Sequence, residues 1–147
     1  MGPVDIADKM FEEGYNCSQS LLYAFSQEFG LNEELALKIS RGFGGGMGHM
    51  AETCGAVTGA FMVLGLQYEP DDVQARDRLY SQVREFADKF KAIHGSILCK
   101  ELLRCDMSTP EGAAMFKEKA MRKSHCPDFV RTSAQISEQI LREAAPK

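Results

Sequence analysis

Apolar residues in this chain recur every three or four positions, and no segment alternates them singly with polar ones. That spacing marks one face of a helix, so the chain is restricted to an all-α fold. Capping residues divide it. Pro3 opens a first helix that ends near Gly14. Asn16 caps a second, with Leu21, Phe25 and Phe29 on one face, Leu22 widening the stripe and Gly30 closing it. Asn32 caps a third, whose Leu35 and Ile39 are expected to face inward. Thr53 caps an apolar helix over 54–66. Pro70-Asp71-Asp72 opens the longest helix, which runs to about His94 with Val73, Tyr80, Val83, Ala87 and Phe90 at heptad-like spacing. Gly95 ends it, with His94 in its last turn, where a protonated imidazole suits the helix dipole. Ser96 caps the next helix, Thr109-Pro110 starts another, and Pro127-Asp128 starts the last, with Phe129, Val130, Ile136 and Ile140 apolar. The expectation is a single-domain helical bundle of about six to eight helices over 1–147, with a glycine-rich loop before the helix that begins at Cys54.

At 147 residues and 44% apolar composition the chain can bury a core without a metal or disulfide. Its net charge of −4 excludes phosphate-backbone binding as the main task. The longest near-apolar run, Gly55 to Leu66, has 12 residues, against the roughly 20 a membrane helix needs. Asp5, Asp8, Glu12 and Glu13 are unlike a signal peptide, and Ile6 stands where a myristoylation site needs Ser or Thr. The expected setting is cytoplasmic, with no nucleic-acid partner and no membrane insertion.

The chemistry-bearing residues are the cysteines. Cys17 follows the cap Asn16, Cys54 follows Thr53, Cys99 lies three residues after Ser96, and Cys126 precedes Pro127. Four thiols thus fall in the first turns of helices, where unpaired N–H groups and the macrodipole favour a thiolate. Cys105 differs: it sits at a helix end, about 120° around a continuous helix from Cys99. The odd count disfavours a secreted disulfide scaffold. No Cys-x-x-Cys occurs, which removes the simplest thioredoxin-type and zinc-knuckle spacings, and no Cys-x-x-Cys-His occurs, which removes covalent haem c.

The segment 41–49 carries Gly42, Gly44, Gly45, Gly46 and Gly48 but lacks the Gly-Lys-Ser/Thr ending of a phosphate-binding loop. It is expected to pass beside Cys54 and border a small pocket, with Gly44, Gly45, Gly46 and Met47 as its lining. His49 lies five residues before Cys54 and His125 adjoins Cys126, and either pairing with its cysteine suits a thiol hydrolase or a mixed metal site. Lys117, Lys119, Arg122 and Lys123 read as one charged helix surface.

These residues resemble the C_GCAxxG_C_C family of redox-active proteins. The motif stands as Cys54-Gly55-Ala56-Val57-Thr58-Gly59, after the glycine loop and before Leu64-Gly65-Leu66. Cys17 in Asn16-Cys17-Ser18-Gln19, Cys99 before Lys100-Glu101-Leu102-Leu103, and Cys126 ahead of Phe129-Val130 complete the framework over about residues 5 to 140, and Cys105 has no counterpart. The resemblance implies that Cys17, Cys54, Cys99 and Cys126 are redox-active thiols that converge in space. A redox partner linked to a transport system is also implied, because family genes lie near transporter genes. A similar framework in split-Soret-type cytochromes implies the alternative of an iron–sulfur cluster. Three readings stay open: thiol/disulfide or electron-transfer chemistry; a shell of Cys17, Cys54, Cys99 and Cys126 for zinc or a [2Fe–2S] cluster; and a non-catalytic, partner-binding helical module. An apolar face would also permit homo-oligomers.

Overall fold

The computed structural model describes residues 1–144. Several of its helices begin at a favourable terminal residue. In α1 (Pro3–Glu12) proline occupies the first turn, where no N–H is needed. In α2 (Cys17–Ser26) the Asn16 side chain accepts from Gln19 N at 2.9 Å, while Gln19 Oε1 accepts from Asn16 N at 3.1 Å. Asn32 caps α3 (Glu33–Ser40), Asp72 caps α6 (Val73–His94), and Thr109 caps α8 (Pro110–Glu118). Gly95 ends α6 in the left-handed region at φ +90°. The other elements are α4 (Gly44–Met47), a short segment whose last three residues are left-handed, α5 (Gly55–Gly65), α7 (Cys99–Leu103), α9 (Met121–Ser124) and α10 (Cys126–Ala144). The protein is all-α, and no strand occurs among the described residues.

The apolar helix α5 lies at the centre, packed by α2, α6 and α10, and α1 closes the far side across α2 and α10. Val57, Val63 and Leu64 from α5 are fully buried with Leu21, Leu22 and Phe25 from α2, Phe86 and Phe90 from α6, and Val130 from α10. Each such side chain contributes about 1.5–3 kcal/mol through burial. The closest approach is between α2 and α5. A Cβ at Gly59 would lie 2.8 Å from Leu21 Cβ and 3.0 Å from Ser18 O, so only glycine allows this distance. Ser133 Oγ of α10 donates to Ala56 O at 2.6 Å and ties the last helix to the same centre.

Several side chains face otherwise than their spacing predicts. Leu35 and Ile39 are each 48% exposed. The buried face of α3 is Ala36 and Ser40, whose small side chains let α3 lie close to α2. Ser40 Oγ donates to Ala36 O, so its burial leaves no unpaired hydroxyl. In α6, Val73 and Tyr80 are exposed, and Phe86, off the expected stripe, carries the packing with Phe90. His94 is not held in its protonated form. It packs on Phe90 and Phe129 and bonds Thr132 Oγ1 at 2.9 Å, and this burial lowers its pKa against the opposing pull of Asp128. The basic residues 117–123 span two helices, α8 and α9, separated by Ala120 at φ +49°.

Among the described residues no helix is long and apolar enough to cross a membrane.

Candidate functional site

The segment between α3 and α5 is a left-handed turn. Gly45, Gly46, Met47, Gly48 and His49 have φ of +64°, +68°, +66°, +62° and +64°. L-residues at two of the five positions carry a cost of about 1–2 kcal/mol each. The hydrogen bonds that hold the turn include His49 N to Gly44 O at 3.1 Å, Met50 N to Met47 O at 3.1 Å, Ala51 N to Gly45 O at 3.2 Å, and Glu52 N to Gly46 O at 3.0 Å.

Ala51 is also left-handed, at φ +60°, and residues 52–54 then pair with 97–99. Thr53 and Leu98 form an isolated antiparallel bridge, Cys54 N donates to Ile97 O at 2.8 Å, and Cys99 N donates to Glu52 O at 2.6 Å. This pairing places the start of α5 beside the start of α7 and so brings Cys54 near Cys99. On the other side Gly55 leaves space for α2: a Cβ there would be 3.2 Å from Cys17 Cβ and 3.1 Å from Ser18 N.

Cys17, Cys99 and Cys126 are the first residues of α2, α7 and α10, and Cys54 is the N-cap of α5. All four line one cavity of about 1000 Å³. All are free thiols; Cys17 is partly exposed and the others are buried. Phe11, Leu102, Phe116 and Phe129 supply much of the apolar wall. Gly44, Gly45 and Gly46 form part of it, but Met47, half-buried, does not. His49 also lines the cavity, whereas His125 is exposed and bonded to Ser124 Oγ at 2.7 Å.

The thiols are electrostatically unequal. The thiol of Cys17 faces those of Cys126 and Cys54; contact with both, then burial, holds its pKa well above the ordinary value. Cys54 moves the other way, because the Cys17 thiol supports its negative charge more than burial opposes it. No amide reaches Cys54 Sγ as a conventional cap, but those of Ala56 and Val57 lie close enough to favour the thiolate. Burial, reinforced by the neighbouring Cys54 and Cys126, pushes Cys99 up to about 12. The arrangement concentrates nucleophilic character on Cys54, with a protonated thiol at Cys17 facing it. Cys105 lies outside the cavity wall, and its buried Sγ donates to Gly112 O at 2.9 Å.

Four thiols are a suitable donor set for zinc or an iron–sulfur cluster. Among the described residues, however, no three His, Cys, Asp or Glu side chains are grouped so as to hold one metal ion. As placed, the four sulfurs do not fit such a centre.

The wall also contains Arg41, Lys117, Arg122 and Lys123, which the sequence reading did not connect with the cysteines. Arg122 donates to Phe11 O at 2.7 Å and Tyr15 O at 3.0 Å, and its guanidinium lies 4.0 Å from the centre of the Phe11 ring. The basic cluster at 117–123 was the available signal, but only tertiary packing turns part of it towards the thiols.

A family model described as "Putative redox-active protein (C_GCAxxG_C_C)" matches residues 15–140. No curated protein and no solved structure matches the chain.

Proposed function

The chain belongs to the C_GCAxxG_C_C family of redox-active proteins, and we propose that it performs thiol–disulfide exchange with Cys54 as the attacking thiol and Cys17 as its partner. The observation that carries this reading is the opposite displacement of two facing thiols: Cys54 is favoured as thiolate and Cys17 is held protonated. Cys54 thiolate attacks one sulfur of a disulfide; that S–S bond breaks, and the first leaving thiolate takes up a proton. Cys17 then loses its proton and attacks Cys54 Sγ, releasing the second thiol and forming a Cys17–Cys54 disulfide. Two electrons and two protons pass from the protein to the substrate disulfide. The amino-terminal ends of α2, α5 and α10 meet at the cavity and favour the transient thiolates.

The test is oxidation of the reduced protein with an uncharged disulfide, followed by peptide mapping. The expected product links Cys17 to Cys54. Cys54→Ser abolishes the fast reaction, and Cys17→Ser arrests it as a mixed disulfide on Cys54. With an uncharged alkylating agent, Cys54 reacts at lower pH than an ordinary thiol, and Cys17 and Cys99 react only at higher pH. A link between other cysteines, or equal reactivity of the four thiols, overturns the assignment.

A further inference from the structure

The chain as a whole is acidic, with 21 Asp and Glu against 17 Lys and Arg. The cavity wall reverses this balance: it contains Arg41, Lys117, Arg122 and Lys123 and no Asp or Glu. None of these four is in an ion pair among the described residues, although Lys38, Arg76, Lys89, Arg131 and Arg142 all are. Arg122 is held in place through carbonyls and an aromatic ring, which leaves its charge uncompensated. Uncompensated cations around a largely apolar cavity create a field that attracts and retains anions. The volume of about 1000 Å³ is at the upper end of the range for small-molecule sites.

We propose that this cavity binds a small organic disulfide bearing negative charge, its anionic groups held by Arg41, Lys117, Arg122 and Lys123 and its S–S bond presented to Cys54. The inference rests on the thiol-exchange reading and adds the substrate class. Phe11, Leu102, Phe116 and Phe129 contact the apolar body of the ligand. A peroxide would have no use for such a wall. Chemistry at the sulfurs is unchanged from the exchange above: the ligand is reduced to two thiols and the protein gains one disulfide.

The experiment uses the full chain, fully reduced, and follows thiol loss with three disulfides. These are 5,5′-dithiobis(2-nitrobenzoate), which is anionic; 4,4′-dithiodipyridine, which is uncharged; and cystamine, which is cationic. Each rate is divided by that of the same reagent with 2-mercaptoethanol, which removes intrinsic reactivity. The normalised rate for the anion is expected to exceed the other two by about tenfold or more at low salt and to fall towards them as salt is added. The triple variant Arg41→Gln/Lys117→Gln/Lys123→Gln changes exposed side chains and is expected to remove most of that preference. Its circular-dichroism spectrum and urea midpoint should stay those of the parent, which reports an intact fold. Equal normalised rates for all three reagents, or a preference that survives the triple variant, overturn the binding inference and leave the exchange reading standing. Absence of fast oxidation with every reagent overturns both.

Discussion

Gly46→Ala and Gly48→Ala together test what sets the left-handed turn that positions Cys54. The two glycines have nearly the same backbone conformation, with φ of +68° and +62°. An alanine at either position therefore incurs a similar conformational cost of about 1–2 kcal/mol, partly offset by a similar loss of unfolded-state entropy. The surroundings differ. At Gly48 the new Cβ would meet only Gly42 O, at 3.7 Å, an ordinary contact. At Gly46 it would lie 2.7 Å from Glu52 N and 2.8 Å from Ala51 Cα. Those are backbone atoms, tied down by the Ala51 and Glu52 hydrogen bonds back to Gly45 and Gly46. Overpacking against atoms that cannot rotate away adds about 1–3 kcal/mol. Gly46→Ala should thus be less stable than Gly48→Ala by that amount, or about 1 M in urea midpoint for a typical urea dependence. Glu52 O also accepts from Cys99 N, so Gly46→Ala should slow alkylation of Cys54 while Gly48→Ala leaves it near the parent rate. Urea titration and iodoacetamide kinetics measure the two effects. Equal midpoints, or a larger loss in Gly48→Ala, would refute the packing argument.

Other perturbations follow from the same geometry. Because burial lowers the His94 pKa in the fold, the unfolded chain binds its proton more readily; stability is full above about pH 6.5 and declines as pH falls from there towards the folded pKa. His94→Gln, which can still bond Thr132, should flatten this part of the urea-midpoint profile. Arg122→Met removes the hydrogen bonds to Phe11 O and Tyr15 O and is expected to destabilise by about 2 kcal/mol in urea titration; no loss would show the guanidinium to be dispensable for docking α9 on α1. Cys105→Ser keeps a donor for Gly112 O and should leave both the rate and the product of disulfide exchange unchanged, as peptide mapping would reveal.

The helix starts were legible because they depend on local chemistry. Asn16, Asn32, Asp72 and Thr109 cap the helices their positions predict, and Gly95 stops α6 where expected. Some boundaries shifted: Cys54 itself is the N-cap of α5 rather than Thr53, Leu98 precedes α7 where Ser96 was expected, with Ser96 Oγ accepting from Leu98 N at 2.9 Å, and α10 begins at Cys126 rather than Pro127. Leu35 and Ile39 show the limit of periodicity. In α3 the adjacent faces 35/39 and 36/40 lie one residue apart, about 100° around the axis, and the choice between them is made by how closely α2 can approach.

Local rules therefore established which residues begin helices, and with them that Cys17, Cys54, Cys99 and Cys126 stand at helix starts. Hydrophobic spacing established that those helices form an all-α protein. Neither could bring the four starts to one cavity. That required the Thr53–Leu98 bridge, the five-residue left-handed turn, and the contact of α2 with Gly55 and Gly59, all between segments distant in sequence or in conformations that propensity disfavours. The inequality of the thiols is likewise tertiary. A helix start favours negative charge on any of them, but only the facing of Cys17 and Cys54 favours it on Cys54 at the expense of its neighbour, because like charges in a buried site cannot both form without cost.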